Sequence, residues 1–265
     1  MNVNKLSQTI TLRNITDIEA TVELEEVGHI YTVGGKKGFT PVTTFVHNWF
    51  SKFEENVAIA NILKSAKMQD PEYEYYGMDA KDIKNYWNRN RDLGTALHYD
   101  IECFYNGKDV QNDSIEYEYF LNFAETYGSL VPYCTEARIF HSRLKLAGSI
   151  DMIFIKPNGH LILVDWKRSK QITMETDQRF PKHCKYQGLT HLDDVNFVHY
   201  SIQLNTYKYI LETEYNYIID EMYLVILHPN NRRKNFQVHQ VSHMNQELSI
   251  MRDYWINNGC KSFSH

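Results

Sequence analysis

Two apolar runs joined by Lys156-Pro157-Asn158-Gly159-His160 constrain the fold of this chain more than any other stretch. The first run, from Gly148 to Ile155, is interrupted by one carboxylate, Asp151. The second, Leu161 to Val164, is followed at once by Asp165-Trp166-Lys167. Pro157 suits the first central position of a type I turn, and Gly159 the left-handed position after it, so a three-residue hairpin loop is expected. Such a loop pairs Lys156 with His160. Counting back along an antiparallel ladder then sets Asp151 opposite Asp165 on one face. A two-residue Asn-Gly loop would instead set Asp151 against Trp166, with the aspartates on opposite faces. Pro157 favours the first register.

Two carboxylates directly opposite one another destabilise a sheet. The flanking apolar runs argue for burial, and against a charged ladder on a solvated face. A hard cation between the oxygens removes the conflict, and Mg²⁺ or Mn²⁺ suits such donors. Lys167 lies two residues past Asp165 and so points the same way. An ammonium there can hold a water or offset charge developing on a phosphoryl group.

Around this hairpin the pattern is mixed. Residues 19–33 alternate as a strand pair, and Gly34 to Gly38 read as a turn. Pro41 opens a helix predicted to run to Lys67. An acidic, aromatic loop covers 69–79. Helices follow over 81–106, ended by Gly107, and over 114–127, ended by Gly128. Strands are expected at 134–142, 145–155 and 160–167, then a polar segment, 168–197. A helix at 198–213, strands at 221–228 and 235–240, and a helix near 244–257 complete the chain. This reads as an α/β mixed sheet flanked by helices. One domain is expected over 1–265: an N-terminal hairpin and helical elaboration (1–90), a core (91–240) and a C-terminal helix (241–265).

Composition narrows the function classes. The 265 residues carry a net charge of -5, which excludes a wholly basic nucleic-acid-coating protein but leaves local patches open. Between Arg138 and Lys185 there are ten Lys/Arg against four acids, two of them Asp151 and Asp165. That excess beside the hairpin suits a phosphate backbone. Arg232-Arg233-Lys234 reads as an ordinary charged turn. The four cysteines show no C-x-x-C spacing, so no zinc knuckle or iron–sulfur cluster is signalled. The N-terminal stretch lacks an apolar h-region, and no run reaches the ~20 residues a bilayer span needs, so an intracellular, soluble chain is expected.

Asp151 with Asp165-Trp166-Lys167 resembles the PD-(D/E)xK nuclease superfamily, with its restriction-endonuclease-like α/β core. Three further motifs occur in family order. Gly94-Thr-Ala-Leu-His98 is similar to the helical G-x-x-x-H motif of the RecB-type exonuclease branch. Gln203-Leu-Asn-Thr-Tyr207 is similar to its Q-x-x-x-Y helix. Glu136 sits where the family often has an acid. The stretches at 40–50 and 191–194 also resemble exonuclease-like proteins of large DNA viruses and, more distantly, mitochondrial genome maintenance exonucleases.

The resemblance implies that His98, Asp151 and Asp165 ligate Mg²⁺ (or Mn²⁺) with the backbone carbonyl of Trp166. Lys167 would orient or activate the attacking water, and Glu136 would position a second cation or water. Gln203 and Tyr207 would brace the site or touch the substrate, and the basic run adds Arg168 and Lys170 as substrate contacts. Only Cys260 lies near the end of the chain, so no iron–sulfur cluster is expected. The activity implied is metal-dependent exonucleolytic hydrolysis of single-stranded DNA from its ends, by a monomer encoded by a virus. Alternatives are a structure-specific or RNA-cleaving endonuclease of the same fold, and a non-catalytic nucleic-acid-binding protein. Trp49, Phe50, Tyr86 and Trp87 read as core more than as base-stacking residues. His191, Asp193 and Asp194 read as a loop motif near the site entrance. Glu102 reads as a helix-surface carboxylate.

Overall fold

In the computed structural model, which describes residues 22–25, 28 and 30–261, the Pro-Asn-Gly loop closes with the three-residue geometry. Lys156 N–H donates to the His160 carbonyl, and Gly159 N–H to the Lys156 carbonyl, both at 2.9 Å. Gly159 takes φ +83°, the left-handed conformation its place in the turn requires. The expectations on the N-terminal stretch and on residues 19–21, 26, 27 and 29 lie outside the described residues.

The strands are β1 (Val22–Glu25), β2 (Ile30–Val33), β3 (Lys36–Pro41), β4 (Val131–His141), β5 (Leu146–Ile155), β6 (Leu161–Lys167), β7 (Ile219–Ile226) and β8 (Gln237–Gln240). The helices are α1 (Val42–His47), α2 (Glu55–Lys64), α3 (Ala80–Tyr105), α4 (Ile115–Thr126), α5 (Asn196–Glu214) and α6 (Asn245–Asn257). They form a mixed α/β fold whose eight-stranded sheet has the order β1-β2-β3-β5-β6-β7-β8, with β4 on the other edge of β5. Among the described residues no helix is long and apolar enough to cross a membrane.

The alternation of β6 assigns its two faces. Leu161 and Leu163 enter one core with Val42, Phe45, Leu204, Met251 and Trp255 from α1, α5 and α6. Ile162, Val164 and Trp166 enter a second core with Leu97, Ile101, Phe120 and Phe123 from α3 and α4. Asp165 and Lys167 share the first face by parity. The β5–β6 ladder runs from Met152↔Val164 to Ile155↔Leu161, the register that brings Asp151 across from Asp165.

β4 covers one edge of β5 along its whole length, from Leu146 to Ile155. The other edge is shared. β6 takes Met152–Ile155, and β3 pairs in parallel with Leu146 and Ala147. Among the described residues, 148–151 are left without a strand on that edge. The sheet therefore forks at Asp151.

Two expectations are corrected. The turn is only Gly34-Gly35, and Lys36 already begins β3. The long helix from Pro41 is two helices, broken between Asn48 and Glu54. Burial explains the break: Trp49 and Phe50 are 0% and 1% exposed, with Trp49 packed edge-on against Tyr186 and Tyr254. Packing of this kind outweighs helix propensity. By contrast α3 starts where its sequence signals place it. Asp79 and Asp82 form a reciprocal capping box, and Gly107 at φ +69° follows its end.

Candidate metal and catalytic site

The site stands at the fork. Asp151 is fixed by backbone: its Oδ2 accepts the Trp166 N–H at 2.9 Å. The Lys167 carbonyl bonds toward β7, accepting from Leu227 N–H. Strand alternation therefore aims the Trp166 carbonyl the opposite way, at the β5 edge near Asp151. From α3, His98 places its Nδ1 3.5 Å from Asp151 Oδ2. Glu136 on β4 completes a triad with these two, its donor atom and theirs all lying within 4.8 Å of one another.

Glu136 is held at φ +47°, a left-handed backbone inside a strand. For a residue with a Cβ this costs on the order of 1 kcal/mol, and such strain concentrates at functional sites. Ser149 Oγ donates to its Oε2 at 2.8 Å. Burial, and next the Asp151 charge, push the Glu136 carboxyl up to about 7. One imidazole and two carboxylates with unrelieved mutual repulsion are a donor set suited to a hard divalent cation.

Asp165 behaves differently from Asp151. It is 2% exposed, and its Oδ2 lies 2.7 Å from Lys167 Nζ. Its Oδ1 accepts from Gln203 Nε2 at 3.3 Å. Burial pushes its carboxyl up to about 6 against the pull of Lys167. The sequence expected a cation shared by His98, Asp151 and Asp165. The structure clusters His98, Glu136 and Asp151, and it pairs Asp165 with the ammonium of Lys167. Burial alone would favour a neutral amine at Lys167, but Asp165 and Asp151 outweigh it and hold the group protonated. The ammonium also sits over the Tyr200 ring, 4.7 Å from its centroid.

α5 supplies the backing. Gln203 Nε2 also donates to the Tyr207 hydroxyl at 3.2 Å. Tyr207 is buried against Gly148, where a Cβ would fall 2.6 Å from Tyr207 Cε1. Glycine is therefore needed at 148 for the tyrosine to reach its place. The cleft in front encloses about 470 Å³, with His98, Glu136, Asp151, Gln203 and Tyr207 in its wall beside Tyr31 of β2.

Arg168 and Lys170 are placed elsewhere. By strand alternation Arg168 falls on the α3/α4 side. Its Nε lies 2.7 Å from Glu116 Oε1, both side chains buried, and its Nη1 donates to Asn90 Oδ1 at 3.0 Å. Lys170 pairs with Glu74 at 2.8 Å on the surface. Glu102 lines the cleft but is outside the triad. His183 pairs with Asp193 at 2.9 Å and His199 with Asp194 at 3.0 Å.

Ser149 and Tyr200 were missed by the sequence reading. Both carried a signal: Ser149 shares a strand face with Asp151, and Tyr200 precedes Gln203 by one helical turn.

No protein-family model matches the chain, and no curated protein matches it. Solved structures that the chain is similar to include SSO0001, 14% identical over 83% of this chain and 74% of that one, with a TM-score of 0.35. Another is a candidate exonuclease from Eubacterium rectale, 10% identical over 84% of this chain and 82% of that one, with a TM-score of 0.38. At such scores neither likeness bears on activity.

Proposed function

We propose that this chain is a divalent-metal-dependent nuclease that hydrolyses phosphodiester bonds of DNA from free ends, with single strands preferred. One observation carries the reading. His98, Glu136, Asp151, Asp165 and Lys167, drawn from one helix and three strands, converge where β5 and β6 part. The resemblance of the four ordered motifs to RecB-type exonucleases supplies the DNA-end preference.

His98, Glu136 and Asp151 would hold the cation, with the Trp166 carbonyl beside them. A bound Mg²⁺ or Mn²⁺ would supply a water of lowered pKa and offset phosphate charge. The remaining chemistry belongs to the chain. Lys167, kept protonated by Asp165, presents an ammonium to the charge that develops on the phosphoryl oxygens. A protonated Nζ donates, so Lys167 orients the attacking water by hydrogen bonding and does not take its proton. Gln203 fixes the far oxygen of Asp165, and Tyr207 fixes Gln203. The ammonium is thereby held in place before substrate arrives.

The test is digestion of linear and covalently closed single-stranded DNA with Mg²⁺, Mn²⁺ or EDTA. An Asp165→Ala/Lys167→Ala protein controls for contaminating nuclease. Loss of the linear strand alone, abolished by EDTA and in the variant, is expected. Cutting of the circle would make the enzyme an endonuclease, and no cutting of either would refute the catalytic reading.

A further inference from the structure

A second groove, of about 960 Å³, lies beyond α1 from the cleft. Its wall includes Phe53, Glu54, Lys182 and Asp194, with His199 from the start of α5. Four features of it point to one kind of occupant.

The first is continuity. His199 lines the groove and Gln203 lines the cleft, and they are four residues apart on α5. One helical turn, ~6 Å, therefore separates the groove from the residue that touches Asp165. A chain molecule seated in one is within reach of the other.

The second is an exposed aromatic. Phe53 is 69% exposed. Its ring lies 5.9 Å from that of Trp87 on α3, tilted at 53°. Trp87, Arg91, Gly94 and His98 fall within a narrow stripe of α3, since 4, 7 and 11 residues are close to whole turns. The stripe leads from the aromatic pair to the metal triad over ~16 Å. Arg91 is exposed on it, with its guanidinium on Asn88 of the same helix.

The third is charge. Both oxygens of Asp194 are taken, by His199 Nε2 at 3.0 Å and Ser51 N–H at 3.3 Å. Glu54 is paired with Lys52 at 3.4 Å. The carboxylates of the groove are thus already answered from within the fold. Exposed Lys182, whose charge reaches Asp194 but which no ion pair among the described residues holds, remains to face an anion.

The fourth is what Phe53 selects. An exposed ring offers a stacking surface to any base whose face is free. Bases in a duplex have both faces covered, so the ring meets an unpaired strand.

We infer that this groove binds the single-stranded segment of a nucleic-acid substrate next to the bond in the cleft. Phe53 stacks a base, while Lys182 and Arg91 meet phosphates. The inference rests on the nuclease reading above and adds the track by which the strand is held.

The test is fluorescence anisotropy in EDTA, with labelled oligothymidylates of 4, 8 and 12 nucleotides and a 12-base-pair duplex. Proteins compared are the wild type, Phe53→Ala, Phe53→Trp, Lys182→Ala and, at the distant hairpin loop, Lys156→Ala. Stacking energies correspond to a loss of about 10-fold or more for the 12-mer in Phe53→Ala. Phe53→Trp should restore binding to within about twofold, because indole stacks at least as well as phenyl. Lys182→Ala should weaken binding and flatten its salt dependence. Duplex binding should not respond to Phe53→Ala, and Lys156→Ala should match the wild type.

Equal binding of the 12-mer by wild type, Phe53→Ala and Lys182→Ala overturns the inference. Digestion by the wild type with Mg²⁺ is run in parallel. If the wild type cuts while both variants bind normally, the groove assignment falls and the nuclease reading stands. If the wild type neither binds nor cuts, both fall.

Discussion

Replacing Gly148 by alanine probes the support of the site without touching a group that does chemistry. The new Cβ would lie 2.6 Å from Tyr207 Cε1 and 3.1 Å from its hydroxyl. Tyr207 is 3% exposed, and a shift away from position 148 would strain its bond to Gln203. Overpacking of this kind costs about 1–3 kcal/mol. Alanine in a strand interior regains about 0.5–1 kcal/mol of backbone entropy relative to glycine. The net expectation is a destabilisation of about 1–2 kcal/mol, or roughly 3–6 °C in Tm for a chain of this size. Activity should fall further than stability. Pushing Tyr207 strains its bond to Gln203, and Gln203 holds Asp165. A misplacement approaching 1 Å costs about 100-fold in rate. Urea denaturation measures the first effect and digestion of a labelled single strand the second. The double variant Gly148→Ala/Tyr207→Leu, which opens the space, should recover stability relative to Tyr207→Leu carrying glycine, so that the two changes are non-additive. Gly148→Ala with wild-type stability and rate would refute the argument that Tyr207 is braced through this contact.

Other predictions concern charge. Arg168→Ala breaks a buried pair and leaves Glu116 without its partner, so urea denaturation should show a loss of about 3 kcal/mol; an unaltered midpoint with weakened DNA binding would instead make Arg168 a substrate contact. Lys167→Met should lower the cleavage rate by on the order of 100- to 1,000-fold while Mn²⁺ still binds; loss of Mn²⁺ binding as well would assign Lys167 a different role. For the metal-free protein the pH dependence follows from two carboxyls, Glu136, raised from 4.5 to about 7, and Asp165, raised from 3.8 to about 6. A carboxyl raised in the folded state contributes stability that is complete below the unfolded pKa and lost as pH rises through the folded one. Denaturation midpoints in EDTA should therefore fall as pH rises to about 7, with Glu136 contributing at most ~3 kcal/mol of the loss, and Glu136→Gln should flatten the slope above about pH 6, beyond the Asp165 titration; an unchanged slope there would place the titration elsewhere.

What the sequence disclosed depended on how local the cause was. The hairpin register was legible because Pro157 and Gly159 fix the turn, and the turn fixes which residues face each other. The start and end of α3 were legible because Asp79, Asp82 and Gly107 are local signals. The break after His47 was not, since it depends on Trp49 finding Tyr186 and Tyr254 far along the chain. The same holds for Lys170, whose partner Glu74 is 96 residues away. Arg168 was legible in principle: alternation that places Lys167 on the α5 side must place the next residue on the other. The left-handed backbone at Glu136 had no sequence signal, because glutamate does not announce a positive φ.

The measurement that bears most directly on the central claim is a Mn²⁺ titration followed by electron paramagnetic resonance. It is run on wild type, His98→Ala and Asp151→Asn, with digestion of a linear single strand from the same samples. The account predicts that the wild type binds Mn²⁺ and degrades the strand, and that both properties are lost together in Asp151→Asn. A wild type that binds no Mn²⁺, or an Asp151→Asn protein that degrades the strand at the wild-type rate, would contradict it.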